Sequence, residues 1–405
     1  MYGNLKSILK TELAAAKENG TYKTERVLES AQGREITVAG PPSRKASAGR
    51  SKKYLNFCAN NYLGLAGTEL LEKASEETVK RWGFGLASVR FICGTQTVHK
   101  DLERAVAELI GAEDAVLYSS CFMANVGLFQ TFFGEQDVII SDELNHASII
   151  DAVRLSKAER AVYKHMDMVD LEEKLKASVG KRLRVIATDG VYSMDGDIAP
   201  LKEICDLADK YDALVMVDDA HATGVMGKNG GGTPEHCGVA QRVDFVTGTF
   251  GKALGGAGGA FTATHKEAAD YLRNRSRTYL FSNSLDTAVT GTSLFVINHL
   301  KKHPEFRERL WENTRYFREL MKKNGFSVPN SQHPITPIML GDEKKAVEMA
   351  KALFDEGIYV IGFAFPVVPK GKARIRVQIS AAHTKEDIEE AVEKFTKVGK
   401  KFGVV

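Results

Sequence analysis

The stretches RVIATDG (184–190), LKEICDLADKY (201–211), ALVMVDD (213–219) and VDFVTGTF (243–250) decide the fold. The first, third and fourth are short β-branched runs, while the second spaces its apolar residues three and four apart, as one face of a helix does. Strands this uniformly apolar are buried on both faces, which predicts a parallel sheet with helices on either side. The alternation extends upstream. AVLYSS (115–120) precedes a helical FMANVGLFQTFF (122–133), and DVIIS (137–141) precedes HASIIDAVRLS (146–156). Beyond about Asp286 the pattern changes to two helical stretches, then IML, the helical KKAVEMAKALFDEG, IYVIGFAF, ARIRVQIS and a closing helix. That order suits a smaller α+β unit. The predicted organisation is an N-terminal helix and arm over 1–55, a large mostly parallel α/β domain over 56–285, and a C-terminal α+β domain over 286–405. Within the first part, GPPSRKASAGRSKK (40–53) reads as a polar arm without period.

The 405 residues are 43% hydrophobic, enough for a large core, and carry a net charge of only +3 with no basic stripe, which argues against a nucleic-acid partner. Five cysteines (Cys58, Cys93, Cys121, Cys205, Cys237) form no C-x-x-C pair and are odd in number, so neither a disulfide framework nor a zinc cluster is expected. The first twenty residues form a charged amphipathic helix, and no apolar run is long enough for a membrane span. The expected location is the cytoplasm, with no membrane partner.

In a sheet of this kind ligands sit beyond the carboxyl ends of the strands. Those ends supply Ser120-Cys121-Phe122, His146, Ser193, Asp218, His221, Thr249 and Lys252. Lys252 lies in VTGTFGKALGG (246–256), but a phosphate-binding P-loop would need Gly where Val246 stands and Ser or Thr where Ala253 stands. It is then either a solvated loop lysine or one held for covalent chemistry. Asp218 and His221, in VDDAH, have ordinary alternatives too: a helix cap or turn for the acid, a hydrogen-bonded core position for the imidazole. No third ligand at suitable spacing supports a metal. Taken together, Lys252, Asp218 and backbone N–H groups at Ser120-Cys121-Phe122 are what pyridoxal phosphate requires: an amine for its aldehyde, a carboxylate for its ring nitrogen, donors for its phosphate. Thr249 adds a hydroxyl.

Ten ordered motifs carry a resemblance: NFCANNYLGLA, GLASVRFICGTQTVHKDLE, LYSSCF, SDELNHASIIDAVRLS, ATDGVYSMDGDIAPL, MVDDAHATG, TGTFGKALGG, YLFSNSL, PVVPKG and ARIRVQISAAHT. Across almost its whole length the chain resembles the α-oxoamine synthases of the fold-type I pyridoxal phosphate enzymes. The resemblance implies that Lys252 binds the cofactor covalently, Asp218 pairs with its ring nitrogen, His221 bonds its phenolic oxygen, His146 stacks on its ring and meets substrate, and Ser193 lies beside it. Cys121 and Phe122 would hold its phosphate. Ser282 and Asn283 would reach the phosphate of a neighbouring subunit, implying a homodimer with shared sites. Asn60 and Arg376 would clamp the substrate. The implied reaction joins glycine to acetyl-CoA, giving 2-amino-3-oxobutanoate and CoA, and in reverse serves threonine breakdown. Branches of the same family that use longer acyl groups, 8-amino-7-oxononanoate synthase and serine palmitoyltransferase, and the 5-aminolevulinate synthases are the near rivals. SVRFICGT (88–95), with Phe91 and Ile92 filling space, leans toward the short acyl group. An ordinary aminotransferase and a catalytically inactive partner subunit are more distant readings, and Lys252 opposes the latter.

Overall fold

The computed structural model describes residues 2–18, 22–40 and 51–405. Its largest sheet has seven strands in the order Asp114–Tyr118, Ala260–Thr264, Phe245–Thr249, Leu214–Asp218, Arg184–Asp189, Val138–Asp142 and Glu159–Tyr163. Ala260–Thr264 runs antiparallel to both neighbours, and the four pairings beyond it are parallel. The predicted α/β class and mostly parallel sheet hold. Side chains of each strand alternate between two cores, as the pleat requires. Val215, Val217 and Ile186 pack beneath the helix Leu201–Tyr211, whereas Met216, Val185 and Ala187 meet Val126, Phe129, Ile149 and Val153 on the other face. Burying side chains of this size contributes roughly 1.5–3 kcal/mol each.

Two of these strands escaped the sequence reading. Glu159–Tyr163 is an edge strand that buries only Tyr163, so its sequence ERAVY never forms an apolar run. Ala260–Thr264 is buried throughout but, apart from Phe261, is built from small and hydroxyl-bearing residues, AFTAT.

The C-terminal pattern appears as helices Thr287–Lys302 and Glu305–Lys323, then a three-stranded antiparallel sheet of Ile335–Gly341, Ala373–Gln378 and Ile361–Phe363, with helices Glu343–Asp355 and Lys385–Lys401. IYVIGFAF is divided between two sheets. Its first part, Ile358–Tyr359, leaves to pair in parallel with Lys52–Asn56, itself antiparallel to Glu35–Val38. The N-terminal helix Tyr2–Glu18 forms as expected but buries none of its residues. Most of the predicted arm, residues 41–50, lies outside the described residues.

The parallel register brings strand ends together. Asp189 stands beside Asp218, which stands beside Thr247, so three neighbouring strands deliver polar groups to one edge.

Candidate active site

Asp218 ends its strand with only 4% exposure. A carboxylate so placed needs donors. Asn125 Nδ2 donates to its Oδ2 at 2.7 Å, the Ala220 N–H donates to Oδ1 at 3.0 Å, and the Cys121 thiol lies 3.7 Å from Oδ2. Burial, reinforced by the Asp218 charge, pushes the Cys121 thiol well up, so sulfur keeps its proton and acts as a donor. The adjacent acid has a different task. Asp219 is fully buried, accepts the Thr233 N–H at 3.0 Å, and is raised to about 7 by burial. It anchors the following loop, where Gly232 has φ +95° and a Cβ would lie 1.7 Å from Asp219 Oδ2.

Lys252 follows the strand Phe245–Thr249 on a turn tied to the strand beyond it by the Phe250 N–H donating to Gly259 O at 3.0 Å. The lysine is half-buried, and none of the hydrogen bonds or ion pairs among the described residues involves its amine. Burial lowers its pKa below the usual lysine value, opposed chiefly by Asp218. His221 is buried, and burial together with the Lys252 charge pushes its imidazole well down, so the ring is neutral. Its Nδ1 lies 2.8 Å from the Tyr62 hydroxyl. Burial also raises Tyr62, which keeps its proton; with that hydroxyl as the donor to Nδ1, the imidazole proton sits on Nε2.

His146 caps the helix Ala147–Leu155 and presents an exposed ring. Its backbone N–H donates to Asp189 Oδ2 at 2.8 Å. Burial, with Asp218 alongside, pushes the Asp189 carboxyl well up. At the start of the helix Cys121–Phe132, Ser120 Oγ accepts from the Met123 N–H at 3.3 Å, while the N–H groups of Cys121 and Phe122 have no partner among the described residues. Such free donors at a helix start suit an anion. Thr249 is partly committed elsewhere: its hydroxyl donates to Gly259 O at 3.0 Å and accepts the Gly251 N–H at 3.0 Å.

The strand Ala373–Gln378 supplies the opposite wall. Arg376 NH1 donates to Ser193 O at 2.8 Å and the guanidinium lies 4.9 Å from the Phe363 ring centre, but its Nε is buried with no acceptor among the described residues. Arg374, two residues earlier, is only 2% exposed and spends its donors on Asp195, Met194 O and Lys372 O. Asn60 Oδ1 accepts from Gln378 Nε2 at 2.8 Å, which ties the ANNYLGL segment to the same strand.

Ser282 and Asn283 stand apart. Asn283 Nδ2 donates to Leu86 O at 3.2 Å, and no hydrogen bond joins either residue to the Lys252 cluster. Phe91 and Ile92 are 62% and 69% exposed, so they are not core residues of this chain. The sequence reading passed over Asn125, Ser148, Tyr62 and Asp189. A lone Asn within the apolar run FMANVGLF was a usable signal, since a buried amide must find partners.

Comparison with known proteins fits this geometry. The family model for aminotransferase class I and II matches residues 52–395. Serine palmitoyltransferase from S. paucimobilis, solved with bound PLP and myriocin, superposes with a TM-score of 0.90 at 31% identity, covering 98% of each chain. The chain belongs to the aminotransferase class I and II family and, within it, to the α-oxoamine synthases; its cofactor is pyridoxal 5'-phosphate. The 2-amino-3-ketobutyrate coenzyme A ligase of Escherichia coli (strain K12) is 54% identical over 100% of both chains, and the mitochondrial Homo sapiens protein of that name is 49% identical over 99% of this chain and 94% of its own. An 8-amino-7-oxononanoate synthase of Thermosipho melanesiensis is also 49% identical, over 98% of this chain and 99% of its own.

Proposed function

We propose that the chain is an acyltransferase interconverting glycine plus acetyl-CoA with 2-amino-3-oxobutanoate plus CoA. The observation that carries it is a half-buried lysine amine without a hydrogen-bond partner among the described residues, set close to Asp218 and to a half-buried arginine, Arg376, whose Nε is buried and unused. Those are the groups needed to hold the cofactor and a small amino acid together, and full-length relatives named 2-amino-3-ketobutyrate coenzyme A ligase support the choice of substrates.

When bound, pyridoxal phosphate supplies an electron sink for the charge left on glycine's α-carbon after a proton is removed. The chain does the rest. Cys121 and Phe122 N–H groups would hold the phosphate, Asp218 would accept from the ring nitrogen, and His221 would donate to the phenolic oxygen. His146 and Ser193 would lie beside the ring. Arg376, steadied through Ser193 O and the Asn60–Gln378 bond, holds glycine's carboxylate so that one Cα–H faces Lys252. The lowered Lys252 amine is suited to take that proton. The exposed carbon bonds to the acetyl carbonyl carbon, and CoA leaves as the thiolate. In the opposite direction the same residues serve threonine degradation.

A homodimer is part of this reading. Tyr2, Leu5, Ile8, Leu9 and Leu13 of the N-terminal helix, together with Phe84, Phe91, Ile92 and Phe281, are exposed apolar side chains that their own chain leaves uncovered. No helix among the described residues is long and apolar enough to cross a membrane; a cytoplasmic location is proposed with the function.

Glycine incubated with acetyl-, pimeloyl- and palmitoyl-CoA tests the assignment. Free CoA should appear fastest from acetyl-CoA. Preference for pimeloyl-CoA with alanine, or palmitoyl-CoA with serine, would move the chain to another branch, and turnover of an amino acid with a keto acid alone would make it an aminotransferase.

A further inference from the structure

We infer that Asn125 is a positioning residue that governs two cofactor-facing groups at once, orienting the Asp218 carboxylate and fixing which nitrogen of His146 carries the proton; this rests on the roles given above to Asp218 and Lys252. Asn125 is fully buried in the helix Cys121–Phe132 and reaches three other elements. Its Nδ2 donates to Asp218 Oδ2 at 2.7 Å and to Ser148 Oγ at 2.9 Å, and the Thr247 hydroxyl donates to its Oδ1 at 2.8 Å. Oxygen and nitrogen cannot be exchanged here. The Asp218 side chain accepts from the Ala220 N–H and from the amide nitrogen of Asn125, which leaves the amide oxygen to accept from Thr247.

The second N–H settles the other branch. By donating to Ser148 Oγ it leaves the Ser148 hydroxyl proton free for His146 Nδ1 at 2.7 Å, and the Ser148 N–H reaches the same nitrogen at 3.2 Å. A nitrogen that accepts twice carries no proton, so the His146 proton sits on Nε2. Loss of water around the part of the ring that faces the chain lowers the imidazole from its usual value, opposed by Asp218. Around Asp218 the titratable groups are Cys121 on the same helix as Asn125, Asp189 on the neighbouring strand, Asp219, His146 and Lys252. Among the described residues none but Asn125 supplies an N–H to Oδ2. Two groups from different loops are therefore set by one amide, whose own orientation is set by Thr247.

Asn125→Asp keeps the shape but replaces the donor with an acid, and two acids at this separation share a proton. Asn125→Leu removes all three bonds. Both holoenzymes should bind pyridoxal phosphate about tenfold or more weakly, measured by dialysis, as expected for losing a hydrogen bond to a charged group. In Asn125→Asp the midpoint of the pH titration of the cofactor's visible absorbance should move by about one unit or more. Thr247→Val leaves Asn125 in place and removes only the bond that orients it, so both readouts should move the same way by less. Melting of the apo forms identifies variants that fold, and Thr247→Val decides the matter if the Asn125 variants do not. Unchanged cofactor affinity and titration midpoint in Thr247→Val and in every folded Asn125 variant would overturn the inference. Borohydride trapping of wild-type enzyme separates the two levels: cofactor fixed on a lysine other than Lys252 removes the underlying assignment, whatever the variants do.

Discussion

At the scale of single residues, two arginines on one strand show how neighbours of equal charge divide their work. Arg374 is internally satisfied, whereas Arg376 keeps a buried Nε without an acceptor. Replacing Arg376 by Lys preserves charge but loses the planar fork, so the KM for glycine should rise roughly tenfold while the melting temperature stays near wild type. Arg374→Lys should do the reverse, costing about 2 kcal/mol through unmatched buried acceptors with little change in KM. Steady-state kinetics beside thermal melts checks both, and an unchanged KM in Arg376→Lys would remove that residue as the clamp. Lys252, Asp218 and His221 stand out as candidates because chemistry-bearing residues at strand ends contrast with the apolar runs before them. Tyr62 does not, because its role depends on a contact with His221 across 159 positions of sequence.

At the scale of elements, the ends of two strands are fastened by His165. Its Nδ1 lies 3.0 Å from Asp142 Oδ1 and its Nε2 3.9 Å from Asp197, and its ring meets Tyr192 edge-on at 4.4 Å. Burial alone would lower the imidazole, but the two carboxylates outweigh it and raise the value to about 9. A group raised on folding binds more protons folded than unfolded, so its stabilisation is complete below the unfolded value near 6.5 and disappears as pH rises through about 9. Denaturant melts of His165→Gln should therefore fall below wild type by up to about 3 kcal/mol more at pH 6 than at pH 9.5. Parallel stability curves across that range would exclude the ion pair as the cause. The same Tyr192 precedes Ser193, so the fastening also steadies the loop that receives Arg376. Periodicity exposed the strands with apolar interiors, but the edge strand Glu159–Tyr163 and the hydroxyl-rich Ala260–Thr264 derive their structure from partners distant in the chain, which local patterning does not register.

For the whole molecule, the separation of Ser282 and Asn283 from the Lys252 cluster fits a site completed by a second copy. If so, Lys252→Ala and Ser282→Trp proteins, each inactive, should regain activity when subunits exchange. At random exchange about half the dimers are mixed with one working site of two, so recovery should approach about a quarter of wild type. No recovery despite proven exchange would place Ser282 in its own chain's site. The pairing of Lys52–Asn56 with Ile358–Tyr359 bears on events before any dimer exists. A ribosome adding about 5–20 residues per second needs on the order of 15–60 s to cover the roughly 300 residues between those partners. Throughout that interval the early hairpin has an open edge, and strands in that condition invite pairing with the wrong chain. A nascent chain arrested before residue 358 should thus be a better client for a holding chaperone than one arrested after the closing helix, and the yield of active enzyme in the cell depends on translation speed as well as on final stability.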